Sequence, residues 1–207
     1  MKVYIYGFRG GMAKRYRAIL RELAHEASGE DADGVADTFS LKEADAVIIA
    51  TPTSTHAQLL RDFMHCGKPI LCEKPITKDL TELEDLVSDL KAAGTRLRMV
   101  DQYRYLVPKR RNVEGFTNYN YFRHGTDGIL WDCINISYHA NGDVELGEQS
   151  PIWSCQINGR HLSLADMDGA YYKMIEDWLS DGSANYEHIL DAHRKVQRQI
   201  DAVAERE

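Results

Sequence analysis

Short, mostly apolar runs alternate with amphipathic stretches over the first hundred residues. The apolar runs are rich in aliphatic and β-branched side chains, as buried parallel strands are. They cover residues 3–6, 46–50, 69–72 and 96–100. Between them apolar residues recur with helical spacing, which predicts helices over residues 12–27, about 54–65 and about 80–90. Strands and helices that alternate in this order predict a doubly wound parallel sheet with right-handed crossovers.

The pattern changes in the second half of the chain. Residues 116–122 alternate aromatic and polar side chains, as a strand with one exposed face does. Residues 152–157 form another strand-like run, which is followed by the turn signal Asn158-Gly159. Amphipathic stretches at residues 164–179 and 186–205 predict two closing helices.

These patterns predict the fold class and the domain organisation. The 207 residues are enough for two small domains. We expect an α/β protein whose residues 1–103 form a Rossmann-like, doubly wound parallel sheet. Residues 104–207 are then a small α+β domain with a mainly antiparallel sheet for substrate binding or oligomerisation.

Charge and composition narrow the classes of partner. The formal net charge is −7, so affinity for nucleic acid or an anionic membrane surface is not expected. The longest apolar run, residues 46–50, is too short to span a bilayer. No leader pattern precedes the first strand, so we expect a cytoplasmic protein without a secretory signal. The four cysteines lack C-x-x-C and zinc spacing, which predicts reduced thiols and no metal site.

The first predicted strand runs directly into a glycine-rich turn. Residues 7–13 have the sequence GFRGGMA, with the spacing G-x-x-G-x-x-A. Glycines at such a turn let the backbone approach a pyrophosphate, which the amides at the helix N-terminus stabilise. The usual spacing is G-x-G-x-x-G, so this segment alone fits a turn without a ligand equally well.

Two later segments carry a family resemblance. Residues 45–56 have the sequence DAVIIATPTSTH, and residues 67–75 have the sequence GKPILCEKP. In order and spacing they closely resemble the Gfo/Idh/MocA (glucose–fructose oxidoreductase/inositol dehydrogenase) family. Its hallmarks are a strand ending in T-P…H and, after a helix, G-K…E-K-P. The run QYRY at residues 102–105 is similar to the segment that leads out of that family's Rossmann domain. The clear resemblance covers residues 1–108.

The resemblance implies a role for each matched residue. It implies a dinucleotide, NADP or NAD, bound by Gly7, Phe8, Arg9, Gly10, Gly11, Met12, Thr51, Pro52, Thr53, His56, Glu73, Lys74 and Gln102. Glu73 and Lys74 would lie by the nicotinamide, and Pro75 would shape the turn. Lys74 matches the lysine that polarises or protonates the substrate oxygen. Tyr103 and Arg104 would help to hold the substrate.

One departure from the family concerns the adenosine ribose. The family places a strand and a helix between its first helix and the T-P strand, and only residues 28–44 fill that gap here. We therefore expect a shortened sheet whose second strand is missing or vestigial. The nearby acidic residues, Asp31, Asp33 and Asp37, then have no strand to place them against the ribose. Arg9, Lys14 and Arg15 either meet a 2′-phosphate, which favours NADP, or are ordinary solvated charges.

A second departure concerns catalysis. The family often carries G-G-x-x-x-D-x-x-x-H in its second domain, where the aspartate and histidine help to move the proton. In the matching segment Asp132 falls on the aspartate and Ile136 on the histidine. An isoleucine cannot relay a proton, and helical direction places His139 on a different face. The resemblance thus implies Lys74 and Asp132 as the catalytic pair.

Three functions follow as hypotheses. The leading one is an NAD(P)-dependent oxidoreductase that transfers hydride to or from a sugar, cyclitol or sugar-nucleotide-like small molecule. The second is a non-catalytic dinucleotide-binding or regulatory protein derived from this family. The third is a reductase of a non-sugar substrate that needs only the lysine. We also expect a homodimer or a larger homo-oligomer, formed through the open face of the second-domain sheet.

Overall fold

The computed structural model describes residues 1–36, 38–106, 116–121, 128, 130–131, 133–135, 145–150, 154–157 and 160–205. The chain forms two compact units. The first contains residues 1–100 and 174–189, and the second contains residues 101–173 and 190–207. Residues 174–189 thus belong to the first unit. The sequence pattern had assigned every residue after 103 to the second domain.

The first unit contains a six-stranded sheet with the strand order β3-β2-β1-β4-β5-β6. The strands are β1 (Lys2–Tyr6), β2 (Glu26–Asp31), β3 (Gly34–Ala36), β4 (Ala46–Ile49), β5 (Pro69–Cys72) and β6 (Arg96–Met99). Only the short edge strand β3 is antiparallel to its neighbour; the other four pairings are parallel. The predicted doubly wound parallel sheet is confirmed.

Three helices connect the parallel strands, and their apolar faces cover the sheet. They are α1 (Gly11–Glu22), α2 (Thr53–Phe63) and α3 (Leu80–Ala92). Every residue of β4 and β5 is buried, as expected for central strands that are covered on both faces. A short 3₁₀ helix, Leu41–Glu43, precedes β4. The carboxyl ends of β1, β4 and β5 therefore lie side by side on one edge of the sheet.

The expectation that the second strand is missing or vestigial was wrong. Strand β2 pairs with β1 in parallel over five residues, from Lys2↔Glu26 to Tyr6↔Glu30. Ala27 continues the helical spacing of α1, but the chain leaves the helix at Ala24, whose φ is +57°. The sequence of β2, EASGED, has no large apolar residue, so its hydrophobic pattern carried no strand signal.

Small residues are required in β2 because the neighbouring backbone lies very close. A Cβ on Gly29 would lie 2.0 Å from the Ile5 carbonyl oxygen, which a side chain cannot do. The adjacent Ser28 is fully buried, and its hydroxyl donates a hydrogen bond to the Phe39 carbonyl at 2.9 Å. Strand β2 is thus fixed by backbone pairing and a buried polar contact rather than by hydrophobic side chains.

The outer edge of β6 is covered by the segment that joins the last two helices, α4 (Leu164–Asp181) and α5 (Tyr186–Ala204). The Asn185 N–H donates to the Leu97 carbonyl at 3.0 Å, and the Asn185 side-chain oxygen accepts from the Met99 N–H at 3.0 Å. Trp178 of α4 is fully buried. These contacts satisfy an edge that would otherwise expose unpaired backbone groups.

The second unit contains a four-stranded sheet with the order β10-β9-β7-β8. Its strands are β7 (Phe116–Tyr121), β8 (Glu145–Ser150), β9 (Ser154–Ile157) and β10 (Arg160–Leu162). The β10–β9 and β9–β7 pairings are antiparallel, and the β7–β8 pairing is parallel. Within the described part of the chain, none of the helices has the length and apolar character needed to cross a membrane.

Candidate functional site

The turn after β1 is tied to both neighbouring strands. Gly7 has a φ of +82°, and a Cβ there would lie 2.6 Å from the Ala50 carbonyl oxygen. The N–H groups of Gly7 and Phe8 both donate to the Glu30 carbonyl at the end of β2, at 2.9 and 3.2 Å. The Gly10 N–H donates back to the Gly7 carbonyl at 2.9 Å. The turn is therefore fixed in shape before any ligand binds.

Helix α1 begins at Gly11 with features that favour an anion. Its N-cap residue, Gly10, provides no side-chain cap, and its first turn contains no acidic residue. The first N–H groups of a helix have no acceptor within the helix, and the helix dipole adds positive potential there. Apart from its chain neighbours and the backbone of its own helix, no described heavy atom lies within 4 Å of the position that a Cβ on Gly11 would occupy. The space beside this helix end is open.

Phe8 and Arg9, which lie inside the turn, point in different directions. The Phe8 side chain is buried, close to Gly29 and below the Arg17 guanidinium, whose carbon lies 4.5 Å from the ring centroid. It anchors the turn to the core of the first unit. Arg9 is exposed, so its side chain is the one that faces a ligand or solvent.

Asp31 is the last residue of β2. The strand that was expected to be missing therefore gives this acidic residue a defined place. Its carboxylate accepts a hydrogen bond from the Arg9 N–H at 3.1 Å. The Arg9 guanidinium lies 3.6 Å from that carboxylate through Nε and 2.8 Å from the Asp33 carboxylate through Nη1. The Arg9 guanidinium, one of the candidates for a 2′-phosphate contact, is thus paired with two carboxylates. Asp37, the third acidic candidate, lies outside the described residues.

A cavity of about 700 Å³ opens beside this strand end. It is lined by the carboxyl ends of β1 and β2, by Thr51 and Pro52, and by the first turns of α2 up to Leu59. Tyr6 forms part of the wall and stacks on Phe63, with ring centroids 4.8 Å apart. Burial, followed by the nearby Glu30 carboxylate, raises the pKa of Tyr6. A pocket of this volume suits a ligand the size of a nucleoside.

The T-P segment contributes both wall residues and an internal brace. Thr53, predicted to contact the dinucleotide, is the first residue of α2. His56, predicted to do the same, is 1% exposed. Its Nδ1 lies 2.8 Å from the Pro75 carbonyl oxygen and its Nε2 2.8 Å from the Thr51 carbonyl oxygen. The histidine side chain therefore joins two backbone segments of the site.

The end of β5 presents Glu73, Lys74 and Pro75, and the Lys74–Pro75 peptide bond is cis. The Glu73 N–H donates to the Ile49 carbonyl of β4 at 2.9 Å. The Glu73 carboxylate accepts hydrogen bonds from the Tyr16 hydroxyl and from the Lys74 N–H, the latter at 3.2 Å. Helical spacing marks Tyr16 only as an apolar position of the first helix, and it does not distinguish a tyrosine whose hydroxyl has a partner.

The remaining predicted residues belong to the second unit. Gln102 and Tyr103 are buried in a 3₁₀ helix, Gln102–Tyr105, whereas Arg104 is exposed with its Nη1 3.8 Å from the Asp101 carboxylate. Asp132 lies outside the described residues, as does Ile136. The roles assigned to these residues stay predictions.

Comparison with known proteins places this geometry in context. Residues 10–101 match the model of a family described as "Oxidoreductase family, NAD-binding Rossmann fold" (Gfo/Idh/MocA). The chain is 51% identical over 51 residues to an inositol 2-dehydrogenase of Rhizobium meliloti, and 43% identical over 53 residues to a scyllo-inositol 2-dehydrogenase (NADP(+)) of Bacillus subtilis. The matches cover 23% and 26% of this chain, and 16% of each relative's own length.

Solved structures resemble the chain over nearly its whole length. A Gfo/Idh/MocA family oxidoreductase from Vibrio cholerae aligns with a TM-score of 0.75 at 14% identity, covering 100% of this chain and 99% of that one. A WlbA dehydrogenase from Thermus thermophilus, solved with NAD and UDP-GlcNAcA, aligns with a TM-score of 0.63 at 14% identity, covering 95% and 93%. At these identities the likeness concerns the fold.

Proposed function

We propose that the chain binds NAD or NADP and transfers hydride, because residues 10–101 match the model of the Gfo/Idh/MocA family of oxidoreductases with an NAD-binding Rossmann fold. The substrate class we propose is a sugar, cyclitol or sugar-nucleotide-like alcohol. The observation that carries this proposal is the shared edge of the sheet. The glycine turn, the T-P segment and Lys74 follow β1, β4 and β5, which are neighbouring parallel strands, and such an edge is where open α/β sheets bind ligands.

The residues of the first unit fit a dinucleotide. The open space at Gly11 and the first turn of α1, without an acidic side chain, suit a pyrophosphate. The cavity of about 700 Å³ beside Asp31 suits the adenosine half. Thr51 and Pro52, which follow β4, line the same cavity.

We further propose that NAD is preferred over NADP. An acidic residue about 20 positions after the glycine turn hydrogen-bonds the ribose 2′-hydroxyl of NAD in Rossmann folds, and Asp31 lies at the end of β2 in that place. Glu30 and Asp33 line the same cavity, and the Arg9 guanidinium is paired with Asp31 and Asp33. A 2′-phosphate would meet three carboxylates there, and like charges repel.

Calorimetric titration with NADH and NADPH tests this preference. We expect NADH to bind more tightly, and Asp31→Asn to narrow the difference because it removes one carboxylate. Arg9→Ala should weaken NADPH binding further, since Arg9 is the nearest cation to the acidic cluster. Tighter binding of NADPH than of NADH by the wild type would refute the preference.

The step that we assign to this chain's own residues is proton transfer between Lys74 and the substrate oxygen. When bound, the nicotinamide supplies or accepts the hydride. Lys74 would hold or deliver the proton at the substrate oxygen, and Asp132, Tyr103 and Arg104 would orient the substrate. A positioned acid or base contributes about 10²–10⁴-fold in rate, so Lys74→Ala should lower kcat by that order. Lys74→Arg should fail almost as badly, because a guanidinium does not give up its proton near neutral pH.

The assay is a panel of sugars, inositols and nucleotide sugars with NAD and NADP. Lys78→Ala is the matched control, since Lys78 is an exposed lysine four positions further along the chain. Full activity in Lys74→Ala would refute the assigned role. Binding of NADH without turnover of any panel member would favour the non-catalytic, dinucleotide-binding alternative.

We also propose a homodimer or larger homo-oligomer formed through the second sheet. The support is the alternating aromatic and polar pattern of residues 116–122, which would leave an apolar face exposed in a monomer. Light scattering should give a mass of at least twice 23.6 kDa. A stable monomer at micromolar concentration would contradict the proposal.

A further inference from the structure

The segment Glu73–Pro75, here called the lysine turn, is held from one side by helix α1. Tyr16 is fully buried in α1, and its hydroxyl donates to the Glu73 carboxylate. That carboxylate also accepts the Lys74 N–H at 3.2 Å. Tyr16 lies on the same helix as Gly11, whose N-terminal turn is the proposed pyrophosphate site. One helix thus carries both the proposed anion site and a direct contact to the residue before Lys74.

The lysine turn is held from the other side by helix α2. His56 contacts the Pro75 carbonyl and the Thr51 carbonyl at 2.8 Å each. Both partners are backbone carbonyl oxygens, so the imidazole ring is in hydrogen-bond contact with two backbone segments at once. Thr51 lines the proposed cofactor cavity. His56 therefore links a cavity wall to the residue after Lys74.

From these two contacts we infer that Tyr16 and His56 are positioning residues that brace the lysine turn and couple dinucleotide binding to the placement of Lys74. Neither side chain is among the residues that line the cavity, and both are buried, so the role assigned to them here is indirect, in place of the direct dinucleotide contact expected of His56. Each joins an element that would seat the dinucleotide to a residue adjacent to Lys74. The inference rests on the proposed function, because it assigns a role to the path between the cofactor site and the lysine.

The physical basis is the small tolerance of proton transfer for misplacement. A displacement of about 1 Å at a reacting group can cost about 10²-fold in rate. Loss of the Tyr16 hydroxyl leaves the Glu73 carboxylate with one fewer donor, and loss of the His56 ring frees the Pro75 carbonyl. In both cases the lysine turn gains freedom, and loss of the His56 ring also releases the Thr51 carbonyl, while the glycine turn keeps its contacts to Glu30. The effect should thus appear in kcat and much less in the KM for the dinucleotide.

The variants are Tyr16→Phe, His56→Leu and His56→Gln, and the matched control is Tyr186→Phe. Like Tyr16, Tyr186 donates a hydrogen bond from its hydroxyl; the acceptor is the Thr95 backbone carbonyl. Thr95 precedes β6 and lies at the opposite, amino edge of the sheet. The control therefore loses the same chemical group from the same unit without touching the site. Glutamine at position 56 keeps an amide donor, so His56→Gln should retain part of the exchange protection and of the kcat that His56→Leu loses.

The first readout is amide hydrogen exchange, which needs no substrate. In the free protein we expect faster exchange at Lys74 in Tyr16→Phe and His56→Leu than in the wild type or Tyr186→Phe. Adding NADH should slow exchange at residues 7–13 in all four proteins. It should slow exchange in the lysine turn only in the wild type and the control, because the coupling contacts are intact there.

The second readout is steady-state kinetics on a substrate from the panel. We expect kcat to fall about 10–100-fold in Tyr16→Phe and His56→Leu, with the KM for the dinucleotide changed by less than about threefold. His56→Gln should lie between His56→Leu and the wild type.

Three results would overturn the inference: unchanged exchange at Lys74 in both variants, an equal effect in Tyr186→Phe, or a loss expressed only in KM. If the wild type binds no NADH by calorimetry, the proposed function and the coupling fail together. The exchange rates of the free protein then still decide whether Tyr16 and His56 brace the turn.

Discussion

Alanine at two positions of the glycine turn should have opposite effects on stability and on dinucleotide binding. Gly7 has a φ of +82°, and its added Cβ would lie 2.6 Å from the Ala50 carbonyl oxygen and 2.9 Å from the carbonyl carbon. Gly11, four residues later, is the first residue of α1 and has open space where its Cβ would be. Gly7→Ala should therefore damage the fold, whereas Gly11→Ala should spare the fold and damage dinucleotide binding.

The magnitudes follow from these contacts. An L-residue in the left-handed region costs about 1–2 kcal/mol, and forcing an extra carbon into a packed backbone contact costs about 1–3 kcal/mol more. Gly7→Ala should thus lower the free energy of unfolding by about 2–5 kcal/mol, a large part of a typical total of about 5–15 kcal/mol. Alanine is favoured over glycine in a helix by about 0.5–1 kcal/mol, so Gly11→Ala should be neutral or slightly stabilising.

Urea unfolding followed by circular dichroism measures the first quantity, and calorimetric titration with NADH measures the second. The Gly11→Ala methyl group would occupy space beside the helix end where a pyrophosphate would lie, so NADH affinity should fall at least about tenfold, or 1.4 kcal/mol. If Gly11→Ala loses as much stability as Gly7→Ala, the open space at the helix end is not real. If Gly11→Ala binds NADH as the wild type does, the pyrophosphate does not lie there.

Two further predictions concern titratable groups away from the turn. At the start of α4, hydrogen bonds from the Ser163 hydroxyl and N–H lower the pKa of Asp166. A carboxyl whose pKa is lower in the folded than in the unfolded state stabilises the fold at pH values above its unfolded-state pKa. This stabilisation is lost as pH falls through the folded-state pKa. Asp166→Asn should therefore lower the thermal midpoint at pH 7, and the difference should close below about pH 4; an equal difference at pH 7 and pH 3 would contradict this. Burial raises the pKa of the Cys72 thiol, with a contribution from the adjacent Glu73 carboxylate. Iodoacetamide should therefore label the half-buried Cys66 well before Cys72 in the native protein, and mass spectrometry showing equal rates would count against that burial.

The central sheet could be predicted because its strands carry their own signal. Each of β4 and β5 is an apolar run bounded by a glycine, proline or polar residue, and both are buried along their whole length. In a chain of alternating helices and strands, an apolar run of this kind indicates a buried parallel strand. The T-P and E-K-P segments lie at the ends of these strands, and the roles expected of them came from the family resemblance.

Strand β2 could not be predicted, because what holds it in place is absent from its own hydrophobic pattern. Ser28 and Gly29 are buried for reasons that lie elsewhere in the chain: the Phe39 carbonyl accepts the serine hydroxyl, and the Ile5 carbonyl leaves no room for a Cβ. The consequence reached the site, since without β2 the carboxylate of Asp31 had no defined place. The choice between NAD and NADP therefore stayed open in the sequence, because the place of this carboxylate depends on β2.

The contacts of the lysine turn show the same limit at the level of single atoms. The spacing of α1 correctly placed Tyr16 in the core, where it is fully buried. Spacing describes only which face of a helix is apolar, and a buried tyrosine still needs a partner for its hydroxyl. That partner, Glu73, is 57 positions further along the chain. The two meet because β5 ends beside the strands that α1 covers. Contacts of this kind between a buried side chain and a turn are therefore found only when the fold brings distant segments together.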